Sequence, residues 1–144
     1  MSTEAFLAVR NRSIVTRVPL KNILYVMRSR RKLFVICEEA SYEYYENIDN
    51  IAPLFGEGFF RVNDGCFVNL SLIDKVEGET VIFRNKERLM LSREAAVRCK
   101  QRFYVFLKTG ERFIAAEALE RAWEKKRPGV KNVLDNPFDN QYNL

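Results

Sequence analysis

Ile23-Leu24-Tyr25-Val26-Met27-Arg28-Ser29-Arg30-Arg31-Lys32-Leu33-Phe34-Val35-Ile36-Cys37 is a pair of apolar runs separated by four positive charges in five residues. Each run is short and rich in β-branched or aromatic side chains, which suits a strand rather than a helix. The basic cluster therefore falls at the tip of a hairpin, where solvent screens the mutual repulsion. A protruding basic tip suits a DNA groove, an RNA or an acidic protein partner.

Outward from this hairpin, the apolar pattern predicts strands at Ala5 to Val9 and Ile14 to Val18 on one side, with Pro19 as a breaker. On the other side it predicts Ser41 to Tyr45, Phe59 to Arg61, Cys66 to Val68, Ile73 to Glu77, Thr80 to Phe83 and Arg88 to Leu91. Asn47 to Phe55 reads as a short helix capped by Asn47, with Ile48, Ile51 and Phe55 on one face and Gly56 as its stop. Asn63-Asp64-Gly65 is a turn by composition. Arg84-Asn85-Lys86-Glu87 is a tight hairpin turn in which Asn85 is suited to positive φ. From the N-cap Ser92 onward the period becomes helical. Thr109-Gly110 predicts a break, and a second helix runs from about Glu111 to Lys126, with Phe113, Ile114, Ala116, Leu119 and Trp123 on its apolar face. Pro128-Gly129 ends it, and Val130 to Leu144 reads as a flexible polar tail. The division expected is thus a domain over 1–108, a helical extension over 109–127 and a tail over 128–144. The class is mainly β or α+β.

The 144 residues are 47% apolar and 30% charged, enough for one ordinary core. No run of 18 apolar residues and no secretory signal is visible, so a cytoplasmic location is expected. Histidine is absent, which removes Ser-His-Asp and Cys-His nucleophiles and histidine zinc sites together. Cys37, Cys66 and Cys99 are odd in number and widely spaced, so neither a metal cluster nor a disulfide framework follows. Adjacent acids such as Glu38-Glu39 alternate across a strand and cannot face one substrate. No enzyme, cofactor or metal is expected. Charge is segregated: residues 1–35 carry eight bases against Glu4, residues 36–59 carry six acids and no base, and the net charge is +5. That pattern predicts a basic face and an acidic face, the former suited to a polyanion.

Phe60-Arg61, then Phe67-Val68-Asn69, and Ser92-Arg93 about two dozen residues later, set after the basic hairpin and the short helix, resemble the LytTR DNA-binding domain. This module is the output domain of many bacterial response regulators. The resemblance runs from Phe6 to Leu107 and implies an elongated fold of small packed antiparallel sheets with one short helix, followed here by C-terminal helices. It also implies that loops, not a recognition helix, enter successive major grooves of bent DNA. By position, the first DNA-facing loop is Arg28 to Lys32, the second Asn63-Asp64-Gly65, and the third Ser92-Arg93 continuing into Glu94. Phosphate contacts then fall to Arg28, Arg30, Arg31, Lys32, Arg93 and Arg98, and base-edge contacts to Asn63, Asp64 and one hairpin arginine. Arg61 and Asn69 match motif positions whose role, structural or contacting, the resemblance leaves open.

Where the family most often has His-Arg-Ser or His-Asn-Ser, this chain has Asn63-Asp64-Gly65. Asparagine pairs with adenine; a carboxylate accepts from cytosine but is repelled by phosphate. Either base preference is altered or DNA binding is weakened. The resemblance starts near residue 5, with no receiver domain ahead of it, so control by abundance, dimerisation or a partner is expected. Two functions are consistent with these residues. One is a sequence-specific transcriptional regulator on double-stranded DNA, nucleoid-associated when bound, with a homodimer as its assembly. The other is a protein-interaction module of the same fold that modulates a partner regulator. Cys66 adjoins the second loop, so its oxidation is expected to interfere with binding.

Overall fold

The computed structural model describes residues 4–126, without the side chains of 112–115 and 124–126. Among the described residues, ten strands and two α-helices follow in order, with three 3-10 turns between them: β1 (Phe6–Arg10), β2 (Val15–Pro19), β3 (Ile23–Ser29), β4 (Lys32–Cys37), β5 (Ser41–Tyr45), α1 (Ile48–Ile51), β6 (Phe59–Asn63), β7 (Cys66–Asn69), β8 (Ile73–Glu77), β9 (Thr80–Phe83), β10 (Arg88–Met90) and α2 (Arg93–Lys126). Every expected strand is present, with ends shifted by no more than two residues. The strands form three antiparallel sheets: β1-β2, β5-β4-β3-β7-β6, and β10-β9-β8.

Alternation decides which face each strand buries. On β4, Leu33, Val35 and Cys37 are buried, while Lys32, Phe34 and Ile36 between them are only partly covered. Those buried side chains join Ile23, Val26 and Phe67 of the same sheet, Leu7, Val9 and Val18 of the β1–β2 hairpin, and Ile48 and Ile51 of α1 in one core. Strand β7 is buried along its whole length, Cys66 to Asn69, as a strand covered on both faces must be. From β3, Tyr25 stacks on Phe83 of β9 at 5.7 Å, which joins the third sheet to the second. Phe55, Phe59 and Phe67 form a second aromatic group, with centroids 4.6 and 4.8 Å apart.

Local capping sets the connections. The Asn47 side chain accepts from Asp49 N at 2.9 Å, and the α-helix lasts one turn before a 3-10 turn containing Pro53. Buried Asn69 donates to Ile23 O at 2.9 Å and accepts from Ser71 N and Ser71 Oγ, so its polar atoms are satisfied inside the fold.

Two local expectations are corrected. In the β9–β10 turn, Lys86 and not Asn85 has positive φ (82°). Asn85 instead accepts from Glu87 N and donates to Glu38 O, which holds it to a local turn and to a neighbouring strand end. The helical region is one element: α2 passes through Thr109-Gly110 without a break. A single helical glycine costs about 1 kcal/mol against alanine, less than the loss from ending several turns of helix. A Lys108–Glu111 ion pair at 3.0 Å spans the same place. Ala95, Ala96, Cys99 and Phe103 of α2 are buried, and the chain separates into two compact units between Phe103 and Tyr104. The tail over 128–144 lies outside the described residues. No described helix is long and apolar enough to cross a membrane.

Candidate nucleic-acid interface

The β3–β4 hairpin closes on the pair Ser29↔Lys32, leaving Arg30 and Arg31 as a two-residue turn. Arg30 has φ 59° and is the only residue of this tip in the left-handed region. That sign pattern belongs to type II′, whose first central position is normally glycine. An arginine is therefore held there at a backbone cost of about 1 kcal/mol. Among the described residues Arg28, Arg30 and Arg31 have no carboxylate partner, whereas Lys32 lies 3.5 Å from Glu43 and over the Tyr45 ring at 5.4 Å.

The second loop is the β6–β7 turn, where Asn63↔Cys66 closes the hairpin around Asp64 and Gly65. Asn63 Oδ1 accepts from Gly65 N at 2.9 Å, a local turn bond that fixes the amide and leaves its Nδ2 donors without a protein partner among the described residues. Arg28 N donates to Gly65 O at 2.7 Å, and a Cβ built on Gly65 would meet Arg28 Cβ at 3.5 Å. The first two loops are thereby fastened to each other.

Arg61 lies behind this turn. Its Nη2 donates to Asp64 O at 2.6 Å and to Asp49 Oδ1 at 2.8 Å, and its guanidinium sits 5.2 Å from the Phe67 ring centroid. Its Nε is buried and unpartnered. These bonds tie the loop to α1, an arrangement that holds Asp64 in place from within. Arg98 is similarly engaged: its Nη2 donates to Val62 O at 2.5 Å, and Arg102 donates to Glu57 O at 3.1 Å, fastening the start of α2 to the β6 region.

The third loop is short. Ser92 Oγ accepts from Ala95 N at 3.2 Å, the expected N-cap, so Arg93 and Glu94 already belong to the first turn of α2. The Arg93 side chain is 85% exposed and only 3.8 Å from Glu79 at its nearest. One shallow cleft is lined by Arg28, by Asn63, Asp64 and Gly65, and by Met90, Leu91 and Ser92. Each loop contributes to it, the first through Arg28 and the third through Ser92, while Arg30, Arg31, Lys32 and Arg93 lie outside its lining. Met27, Met90 and Leu91 also line it and were missed by sequence reading; for Met90, 67% exposed on β10, the one signal was an apolar side chain at an outward position beside buried Leu89.

Two acids of residues 36–59 lie against bases, Glu43 on Lys32 and Asp49 on Arg61. The cysteines are all buried. Burial pushes the thiols of Cys37 and Cys99 up to about 11 and that of Cys66 up to about 12, the last also through nearby Cys99. Both burial and the raised pKa favour the protonated, less reactive form of Cys66.

Residues 13–104 match the family model described as the LytTr DNA-binding domain. A solved structure, the LytTr DNA-binding domain of a protein described as a methyl-accepting/DNA response regulator from Bacillus cereus, superposes with TM-score 0.58 at 18% identity. The match covers 69% of this chain and 97% of that one, which establishes the shared fold. No curated protein matches the chain.

Proposed function

The chain belongs to the LytTR DNA-binding domain family, and from that premise we propose that it is a sequence-specific transcriptional regulator that reads the major groove of double-stranded DNA through its loops. The observation that carries this reading is that one cleft is lined by residues of all three loops: Arg28, Asn63-Asp64-Gly65 and Ser92. Arg30, Arg31, Lys32 and Arg93 take phosphates. Arg28, Asn63 and Asp64, in the cleft, take base edges: Arg28 suits guanine, the Asn63 amide adenine and the Asp64 carboxylate a cytosine amino group. Arg61 and Arg98, whose guanidinium groups are bonded within the fold, position the loop rather than contact DNA. Binding occurs in the cytoplasm, on the nucleoid, as a homodimer whose two copies occupy repeated half-sites.

Four phosphate contacts give a log–log salt dependence of roughly −3.5. Replacing Arg30 and Arg31 by Ala weakens binding to all duplexes alike and makes that slope shallower. Unchanged binding by this double variant, measured by fluorescence anisotropy across a salt series, refutes the hairpin assignment.

A second reading is favoured by Asp64, which is exposed and whose carboxylate forms no ion pair among the described residues. Under it the domain engages a partner regulator protein and has lost base reading. Asp64→Asn separates the two: tighter or redirected duplex binding supports the DNA reader. A partner regulator captured equally by both forms, with no duplex bound by either, supports the second.

A further inference from the structure

A second cleft opens between the β1–β2 hairpin and strands β4 and β5, lined by Arg10 at the end of β1, Arg12 of the turn, Lys32 and Tyr45 of the strands, and the acids Glu43 and Glu46. Lys32 belongs also to the basic hairpin tip, so the cleft continues the surface that carries Arg30 and Arg31. The turn is held in place: Asn11 Oδ1 accepts from Ser13 N at 2.8 Å and Ile14 N at 3.1 Å, while Asn11 Nδ2 donates to Glu43 O at 2.8 Å. Lys32 pairs across the sheet with Tyr45. Glu43 lies two residues farther along β5, so the turn is anchored about 7 Å along the strand from the Lys32 row.

The charges in the cleft are unequal in their commitments. Glu43 faces Lys32 at 3.5 Å, and Glu46 Oε1 accepts from Asn47 N at 2.8 Å and Asn50 Nδ2 at 3.0 Å. Arg10 and Arg12 are exposed and have no carboxylate partner among the described residues. Glu46 keeps its charge, because its hydrogen-bond donors are neutral, so the cleft carries three bases against two acids; Arg10 and Arg12 are its cations without an ionic partner among the described residues, and their forked donors match a phosphate.

We propose that this cleft is a second backbone-contact site for the same DNA, taking phosphates that flank the groove entered by the hairpin tip. The proposal rests on the DNA-binding reading above and extends its footprint to one side. With Arg10 and Arg12 included, the salt slope of the wild-type chain is roughly −5.

The test compares wild type, R10A/R12A and R10K/R12K on one selected duplex, by salt titration and hydroxyl-radical footprinting. For R10A/R12A the slope is expected to become shallower by about 1.8, two contacts at ~0.9 each. Protection is lost on one flank only and retained opposite the three loops, and lysine at both positions restores the slope. If wild type binds and R10A/R12A keeps the same slope and footprint, this second site is refuted while the loop reading stands. An equal loss in R10K/R12K indicates a disturbed turn and overturns it too. If wild type binds no duplex, both readings fall together.

Discussion

Arg30 pays for its place at the hairpin tip with a left-handed backbone. Nothing in its side chain demands that conformation; the two-residue turn does. Arg30→Gly is therefore expected to raise stability by up to about 0.5 kcal/mol, once glycine's larger entropy loss on folding is set against the relief. A higher thermal midpoint together with weaker duplex binding is the expected pair of results, and a lower midpoint contradicts the strain. Arg61 presents the opposite case, a guanidinium turned to internal work. Arg61→Met keeps the stem but removes the bonds to Asp64 O and Asp49, and is expected to cost about 1–2 kcal/mol. In a double-mutant cycle with Asp49→Asn the coupling should stay below about 1 kcal/mol, because the Asp49 carboxylate is 66% exposed and screened. Chemical denaturation of the four proteins measures both values.

Strands β1 to β10 were legible because short runs rich in β-branched and aromatic residues, bounded by turn residues, are written directly in residue type; in β4 the buried Leu33, Val35 and Cys37 set adds alternation to that signal. The cap roles of Asn47 and Ser92 were legible for a similar reason, since a short side chain with an acceptor precedes each helix. Three features were not. The passage of α2 through Thr109-Gly110 is a balance between a small local penalty and helix cooperativity, and the local residues display only the penalty. The positive φ of Lys86 rather than Asn85 follows from turn register, not from intrinsic preference. The internal engagement of Arg61 and Arg98 depends on which carbonyls lie opposite them in space, at Asp64 and Val62. A motif match supplies the arginine and not the direction it faces. For α2 itself, no atom lies within 4 Å of a Cβ built on Gly110. Gly110→Ala is accordingly expected to stabilise the helix by about 1 kcal/mol, seen as greater helicity by circular dichroism before the melt. A fall in helicity would mean that the glycine serves a purpose other than continuity.

At the scale of the whole molecule, the absence of histidine removes the side chain that ordinarily titrates between pH 5 and 8. Stability is expected to be flat across that range. The buried thiols act above it. Their ordinary value is 9.0, and folding raises Cys66 to about 12 and Cys99 to about 11, so the folded state holds protons that the unfolded state releases. Tyr44, raised to about 12 by burial, acts in the same direction. Their contribution is full below pH 9 and is lost as the pH climbs toward 11 to 12. Urea denaturation from pH 6 to 11 should show a plateau and then a decline. A thiol reagent at pH 7 should label the folded chain hardly at all and the unfolded chain completely.

The central claim concerns three loops that form one reading surface, and selection from a randomised duplex pool tests it most directly. The purified chain and its Asp64→Asn variant are selected side by side, at low and at physiological salt. The account predicts an enriched motif that persists at physiological salt and changes at the base position faced by residue 64 in the variant. Retention at low salt alone, with no motif for either protein, would contradict it.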